Sequence, residues 1–313
     1  MEAASEKSFA ETVCLPFLRN SQNADGGWGF HSKSESRVEA TCWALHALRE
    51  CGGESSALTR GFEFLRAAQL PDGSWPSTAA ETSGCWVTSL SCWVLWHTAD
   101  SRAHVAAGLR WLCQDWPADT TPWRRFLAKF SSQHGVAPIN TAYRGWSWTP
   151  GTSSWVEPTS FALIALENDP LQSHPSESAK RRALGEGLLY DRMCPGGGWN
   201  CGNPLVYGVA GEALVVPTVC ALLALRHSPA RLENVMSLDW LEREVPAIKS
   251  AGSLALAKIC LEIYNRDWPR SASSFRALHE KSGFLDSVQV TAWTSLALAA
   301  GTEWLGPGVA KAT

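Results

Sequence analysis

The sequence predicts an all-α protein in which six inner and six outer helices form a double ring, an α6/α6 toroid. Two motifs carry this prediction, because each recurs along the chain at the spacing of helix pairs, as in repeat architectures. A third observation is the excess of tryptophan. The 313 residues include 17 tryptophans beside only 4 tyrosines and 3 methionines.

The first motif predicts the inner helices. Its frame V-x-x-T-x-x-A-L-x-A-L recurs five times, with starting positions at Val38, Thr88, Val156, Val215 and Val288. In the first copy Val38, Cys42 and Leu45 share one helical face, while the opposite face carries only small residues. A helix that is apolar or small on all sides is buried all round, so these helices are expected to form the inner ring.

The second motif predicts how the outer helices end. Leu18–Trp28 matches Leu65–Trp75 position by position, and a degenerate third copy runs from Leu189 to Trp199. The leucine and glutamine end an outer helix, Asp-Gly makes a tight turn, and the tryptophan anchors that turn. Outer helices are expected near 7–20, 56–69, 101–114, 177–192, 229–244 and 271–281, and inner helices near 38–50, 86–98, 157–167, 215–226, 249–264 and 286–300.

Composition narrows the class of protein. A net charge of -3 and a pI of about 6.3 give no basic face for nucleic acid. The polar segment 1–10 lacks the apolar run of a signal peptide, and no apolar stretch reaches the roughly 18 residues of a membrane span. We therefore expect one cytoplasmic domain over residues 1–313, with Cys42, Cys92 and Cys220 as buried thiols in a reducing compartment.

Gln69–Trp75, preceded by Arg60-Gly61 and Phe64, resembles the QW motif of squalene-hopene and oxidosqualene cyclases. The chain as a whole resembles the α6/α6 domain that those cyclases share with the β subunits of protein prenyltransferases. The resemblance implies that the ligand is an isoprenoid or another apolar small molecule.

The resemblance also points to two acids. Such cyclases carry a DxDD motif at a helix start, and its middle aspartate protonates an alkene or epoxide. The matching middle positions here are Glu39 and Glu157, and both flanking aspartates are absent. The positions that match the zinc ligands of prenyltransferases are Val216, Thr218 and Val290, which do not bind zinc strongly. We expect no metal and no cofactor.

Candidate site residues follow from these positions. Glu157 and Glu39 are the candidate catalytic acids; the alternative is that each carboxylate only stabilises a helix N-terminus. Two sets of candidate substrate-binding residues are the tryptophans, whose indole faces stabilise cations, and the polar residues of a glycine-rich loop. The alternative role is packing for the tryptophans and turn formation for the loop residues. These candidates are Trp148, Trp155, Trp43, Trp93 and Trp293, together with Asn200, Asn203 and Tyr207.

The expected function is acid-initiated carbocation chemistry on an isoprenoid. One alternative is a non-catalytic toroid that binds a lipid or a protein partner. Another is glycan processing, for which Glu39 and Glu157 would supply the paired carboxylates. The basic and aromatic segment 123–130 suggests peripheral contact with a membrane, or else an ordinary amphipathic helix. A protein partner or a second copy of the chain is a further expected contact, closing the ring.

Overall fold

The computed structural model describes residues 8–52, 55–115, 117–118, 140–167, 175–268, 273–299 and 303–305. Its helices, in chain order, are α1 (Leu15–Asn20), α2 (Val38–Gly52), α3 (Ser56–Ala68), α4 (Val87–Leu95), α5 (Arg102–Gln114), α6 (Val156–Glu167), α7 (Pro175–Asp191), α8 (Val215–Ala224), α9 (Leu232–Glu244), α10 (Ala251–Ile263), α11 (Ser273–Ser282) and α12 (Val288–Leu298). A π-helical segment, Ala10–Cys14, leads into α1. The segment 123–130 lies outside the described residues.

The chain forms two compact units. Unit 1 gathers residues 1–71, 75–83 and 244–313, and unit 2 gathers residues 72–74 and 84–243. In unit 1 the inner helices α10 and α2 both pack against α12, and the outer helix α3 packs on α2. In unit 2 the inner helices α4 and α8 both pack against α6, with the outer helices α5 and α7 beside them.

The structure confirms the helical part of the sequence prediction. Each expected inner or outer helix has a counterpart within a few residues of its predicted bounds. Prolines 158 and 217 lie in the first turns of α6 and α8, where a missing N–H leaves no helical hydrogen bond unmade. Along α2, the residues from Ala40 to Leu48 are all buried, as the apolar and small pattern predicts.

The tryptophans of the second motif are buried anchors. Trp28, Trp75 and Trp199 are fully enclosed, at 0% exposure. Each indole Nε1–H donates to the carbonyl oxygen of the leucine ten residues earlier, at 2.7 Å for Trp28 to Leu18. The hydrogen bond satisfies the indole and caps a carbonyl at the end of the outer helix, so packing accounts for these three side chains.

Trp146 is a fourth anchor of the same kind. It is 1% exposed, and its indole donates to the Leu112 carbonyl at the end of α5, at 2.9 Å. The intervening chain is 34 residues long instead of 10, which hides the equivalence in the sequence.

The threonine of the first motif binds the anchor tryptophan of the second. Thr41 Oγ1 accepts a hydrogen bond from the backbone N–H of Trp28 at 2.9 Å. The same bond joins Thr159 to Trp146 at 2.9 Å and Thr218 to Trp199 at 2.8 Å. In these three copies the two motifs occur together because one side chain of the inner helix satisfies the turn that precedes it.

Two local features were not predicted. Strands β1 (Leu205–Val206) and β2 (Val209–Ala210) form an antiparallel hairpin whose turn, Tyr207-Gly208, has positive φ at both residues. The 3₁₀ segment Gly283–Asp286 before α12 is left-handed, with φ between 52° and 56° at all four residues. Within the described ranges, no helix is long and apolar enough to cross a membrane.

Candidate active site

Glu39 lies in the first turn of α2, at the position that the inner-helix frame gives it. Its Oε1 accepts a hydrogen bond from Nε2 of Gln289, in the first turn of α12, at 2.7 Å. Because α2 and α12 are neighbouring inner helices of unit 1, this bond joins the two helix starts.

Two tryptophans lie one turn further along the same helix pair. Trp43 and Trp293 follow Glu39 and Gln289 by four residues, which places each on the same helical face as its predecessor. Their rings make an edge-to-face contact, with centroids 5.6 Å apart and planes at 81°. We call Glu39, Gln289, Trp43 and Trp293 the Glu39 cluster.

Burial raises the pKa of Glu39 to about 7, although the hydrogen bond from Gln289 acts in the opposite direction. Removing a carboxylate from water penalises its charged form, and a donor on the carboxylate offsets only part of that penalty. Near neutral pH the side chain is therefore present in both forms, so it can release a proton and take one back.

The corresponding glutamate of unit 2 also lies beside aromatic rings. Glu157 is in the first turn of α6, four residues before Phe161 on the same face. The Phe161 ring lies 5.5 Å from that of Trp86, and Trp86 makes an edge-to-face contact with Trp148 at 4.8 Å. We call Glu157, Phe161, Trp86 and Trp148 the Glu157 cluster.

Glu157 differs from Glu39 in its hydrogen bonding. Burial again raises its pKa, while the backbone N–H of Glu157 itself lowers it. Its Oε2 atom is buried, and it has no hydrogen-bond partner among the residues that the structure describes. Within the described part of the chain, no side chain donates to this oxygen as Gln289 donates to Glu39 Oε1.

The loop that carries Trp148 and Trp155 is held by one buried arginine. Arg181 of α7 is 2% exposed, and its guanidinium donates to the carbonyls of Gly145, Arg144 and Asp115. The same group lies 3.9 Å from the centroid of the Trp146 ring. Trp155 pairs with Trp146 through a backbone hydrogen bond of 3.0 Å, and it directly precedes α6.

The remaining candidates belong to neither cluster, although the glycine-rich loop contacts the start of α6, where the Val156 N–H donates to the Cys201 carbonyl at 3.2 Å. Trp93 is completely buried within α4. Asn200 Oδ1 accepts from the N–H groups of Gly202 and Asn203, so this side chain shapes its own loop. Tyr207 is at the hairpin tip and is 76% exposed.

Sequence reasoning missed three members of the clusters. Gln289 occupies the same frame position as Glu39 and Glu157, and comparing all copies at that position would have found it. Phe161 replaces the frame's tryptophan and is found in the same way. Trp86 precedes its helix and gave no signal.

The chain is similar in sequence to several known proteins. Residues 3–98 match the family model of the squalene-hopene cyclase C-terminal domain. Drimenyl diphosphate synthase from Streptomyces showdoensis is 28% identical over 248 residues, which is 67% of this chain and 45% of that protein. Mouse (Mus musculus) lanosterol synthase is 38% identical over 71 residues, which is 19% of this chain and 10% of that protein.

A solved structure shows the same fold. The type II terpene cyclase MstE from Scytonema, in complex with geranylgeranyl dihydroxybenzoate, matches with a TM-score of 0.59 at 11% identity. The match covers 95% of this chain and 97% of that one. At this level of identity the likeness concerns the fold alone, and that fold is mostly helical, as the sequence predicts.

These matches support the class that the sequence resemblance indicates: the chain is similar to members of the squalene cyclase-like superfamily. The matched region spans less than half, 45%, of the length of drimenyl diphosphate synthase.

Proposed function

We propose that the protein is a terpene-cyclase-like enzyme that starts carbocation chemistry on an isoprenoid by protonating it. The observation that carries the proposal is the Glu39 cluster, in which a carboxyl group with a pKa of about 7 lies one helical turn from two tryptophans in contact. The relatives support the substrate class, since one is named for drimenyl diphosphate and a solved neighbour holds a geranylgeranyl compound.

The proposed first step needs only the acid and the substrate. The O–H proton of Glu39 adds to one carbon of an alkene, whose π electrons form the new C–H bond and leave a cation on the other carbon. Glu39 becomes a carboxylate in that step. The faces of Trp43 and Trp293 would stabilise a nearby cation by about 0.5–2 kcal/mol each. Transfer of a proton from the cyclised cation to the Glu39 carboxylate would end the reaction and restore the acid.

The Glu157 cluster is a second candidate for the same step, because it combines a buried carboxyl group with three aromatic rings. Burial raises the pKa of both glutamates, and the value of about 7 for Glu39 keeps a large share of it protonated at neutral pH. In its ionised form, the Glu157 carboxylate would stabilise a positively charged intermediate or accept the proton that ends the reaction.

The test is to incubate the purified protein with squalene and with linear prenyl diphosphates, and to analyse the products by gas chromatography–mass spectrometry after removing any diphosphate. We expect cyclised products from at least one substrate. Glu39→Gln should lower the rate of product formation by at least a hundredfold, because the amide has no acidic proton. Glu157→Gln is measured in parallel.

The matched control is Glu280→Gln, an exposed glutamate on the outer helix α11, which should leave the rate unchanged. Full activity in both Glu39→Gln and Glu157→Gln would rule out the proposed acid step. If the wild-type protein binds these substrates but consumes none of them, the non-catalytic lipid-binding function replaces the enzymatic one.

A further inference from the structure

We infer that Gln289 is a positioning residue for Glu39: its side-chain amide fixes the orientation of the Glu39 carboxyl group and holds down its proton affinity. Gln289 shares the frame position of Glu39 but lies 250 residues away in the chain, and the frame does not say which inner helices are neighbours. Its catalytic consequence rests on the proposed function, whereas its effect on the carboxyl group does not.

The first support is the contact itself. The amide Nε2 donates to the carboxyl Oε1 at 2.7 Å, the short distance expected of a hydrogen bond to a charged acceptor. Such a bond favours the ionised carboxylate, which opposes the effect of burial. Gln289 therefore keeps Glu39 able to lose its proton in a place where desolvation alone would hold the proton more tightly.

The second support is that α12 is fixed at its start. Ser287 caps the helix by accepting from the Val290 N–H at 3.2 Å. The Val288 N–H donates to the Phe30 carbonyl at 2.9 Å, and Phe30 belongs to the segment that leads into α2. These bonds join the two segments entering the helices, so the first turns that carry Glu39 and Gln289 are held in register.

The third support is an aromatic contact one helical turn below Glu39 and Gln289. Trp43 and Trp293 repeat the Glu39–Gln289 contact one turn deeper, on the same two helices. Gly252 of α10 makes room for the second indole, because a Cβ atom there would lie 3.2 Å from the Trp293 ring. The helix pair is thus fixed both above and below the carboxyl group.

The fourth support is the backbone that precedes the cap. The left-handed turn Gly283–Asp286 includes three residues other than glycine, a conformation that L-residues adopt at a cost. The ring nitrogen Nδ1 of His31 lies 3.1 Å from the Leu285 carbonyl, which ties this turn to the segment before α2. This contact helps to hold the turn in an unfavourable backbone conformation, directly before the helix that carries Gln289.

The experiment is to measure the titration of Glu39 by NMR of carboxyl-labelled glutamate, in the wild type and in Gln289→Leu. Leucine is close to glutamine in size but has no donor. We expect the midpoint of Glu39 to rise by about one pH unit, a tenfold gain in proton affinity. The midpoint of Glu157, in the other compact unit, is the internal control and should not move.

Gln289→Glu is the second variant. It places two carboxyl groups within hydrogen-bond distance, so they should share one proton and titrate in two separated steps. An unchanged Glu39 midpoint in Gln289→Leu, together with a single unshifted step in Gln289→Glu, would overturn the inference. Neither measurement requires turnover, so the inference about Gln289 is tested independently of the proposed function.

Activity then tests the catalytic consequence. If the cyclisation assay gives product, the pH–rate profile of Gln289→Leu should shift in the same direction as the NMR midpoint. A shifted midpoint with an unshifted profile would show that Gln289 positions a carboxyl group other than the catalytic acid.

Discussion

At the scale of single residues, one hydroxyl group explains why two motifs recur together. Thr41 is completely buried and bonds to the backbone of Trp28, and Thr159 and Thr218 do the same for their own tryptophans. A buried backbone N–H without a hydrogen-bond partner costs free energy, so the hydroxyl group of threonine matters at this position as well as its small size. Thr294, on α12, is also completely buried, but its hydroxyl has no hydrogen-bond partner among the described residues.

Substitution by valine should therefore destabilise the protein at Thr41 but not at Thr294. Thr41→Val should lower the free energy of unfolding by about 1–3 kcal/mol, because it leaves the Trp28 N–H unsatisfied. Thr294→Val, the matched control, should leave stability unchanged or raise it by up to about 1 kcal/mol, since it removes an unsatisfied buried hydroxyl. Urea unfolding of both variants measures the difference, and equal losses would contradict the role assigned to Thr41.

The candidate site was predictable only in part at this scale. Glu39 and Glu157 follow from the repeat frame, and so do the aromatic residues one helical turn after them, whereas Trp86 gave no signal. The contact of Glu39 with Gln289 joins residues 250 positions apart, and it depends on which inner helices become neighbours. Periodicity assigns a residue to a face of its own helix, but it does not pair that face with a second helix.

At the scale of elements, the left-handed turn before α12 is the least expected feature. Leu285 has a φ of 56° and is 76% exposed, so its side chain gains little from packing in return for its backbone conformation. Glycine adopts this conformation without the steric conflict between Cβ and the carbonyl oxygen.

Leu285→Gly should therefore stabilise the protein. Relief of the left-handed conformation is worth about 1–2 kcal/mol, and the added flexibility of the unfolded chain costs about 0.5–1 kcal/mol. We expect a net gain of about 0.5–1 kcal/mol in the free energy of unfolding, measured by thermal and urea unfolding.

Leu232→Gly is the control for this substitution. Leu232 is a comparably exposed leucine, at 68%, but it lies in the first turn of the right-handed helix α9. Glycine there should lower stability, because it only adds backbone freedom to the unfolded chain. Destabilisation by both substitutions would show that the turn at Leu285 is not strained.

The elements also show where sequence prediction ends. The inner and outer helices were predictable because their apolar patterns extend over several turns. The hairpin Leu205–Ala210 was not, because strands of two residues carry no periodic signal. The π-helical segment before α1 ends just before Pro16, whose missing N–H disrupts the usual hydrogen-bond ladder and shifts the preceding turn. Only the proline was visible in the sequence.

At the scale of the whole molecule, stability should depend on pH through Glu39. Its pKa is about 7 in the folded protein, against 4.5 for an ordinary glutamate. Between these values the folded protein retains a proton that the unfolded chain has lost, so the free energy of unfolding falls as the pH rises from 4.5 to 7. Above about 7 both states are ionised, and this contribution no longer changes.

Glu39→Gln should remove this pH dependence. Relative to the wild type, the variant should become more stable by about 3 kcal/mol as the pH is raised from 4.5 to 8, with the change nearly complete at pH 8. Urea unfolding at a series of pH values measures it, with Glu280→Gln as the control. Parallel curves for wild type and Glu39→Gln would show that Glu39 titrates alike in both states.

The division into units also has a consequence for the order of synthesis. Nearly all of unit 2 is one continuous stretch, 84–243, whereas unit 1 combines residues before 84 with residues after 243. A ribosome therefore releases α1 and α2 long before their partner α12 exists. Unit 2 can fold while the chain is still growing, and the apolar faces of the early helices must wait, exposed to chaperones, until residues 244–299 emerge. Glu39 meets Gln289 only after that delay, so the candidate acid is assembled after the whole of unit 2 has been synthesised.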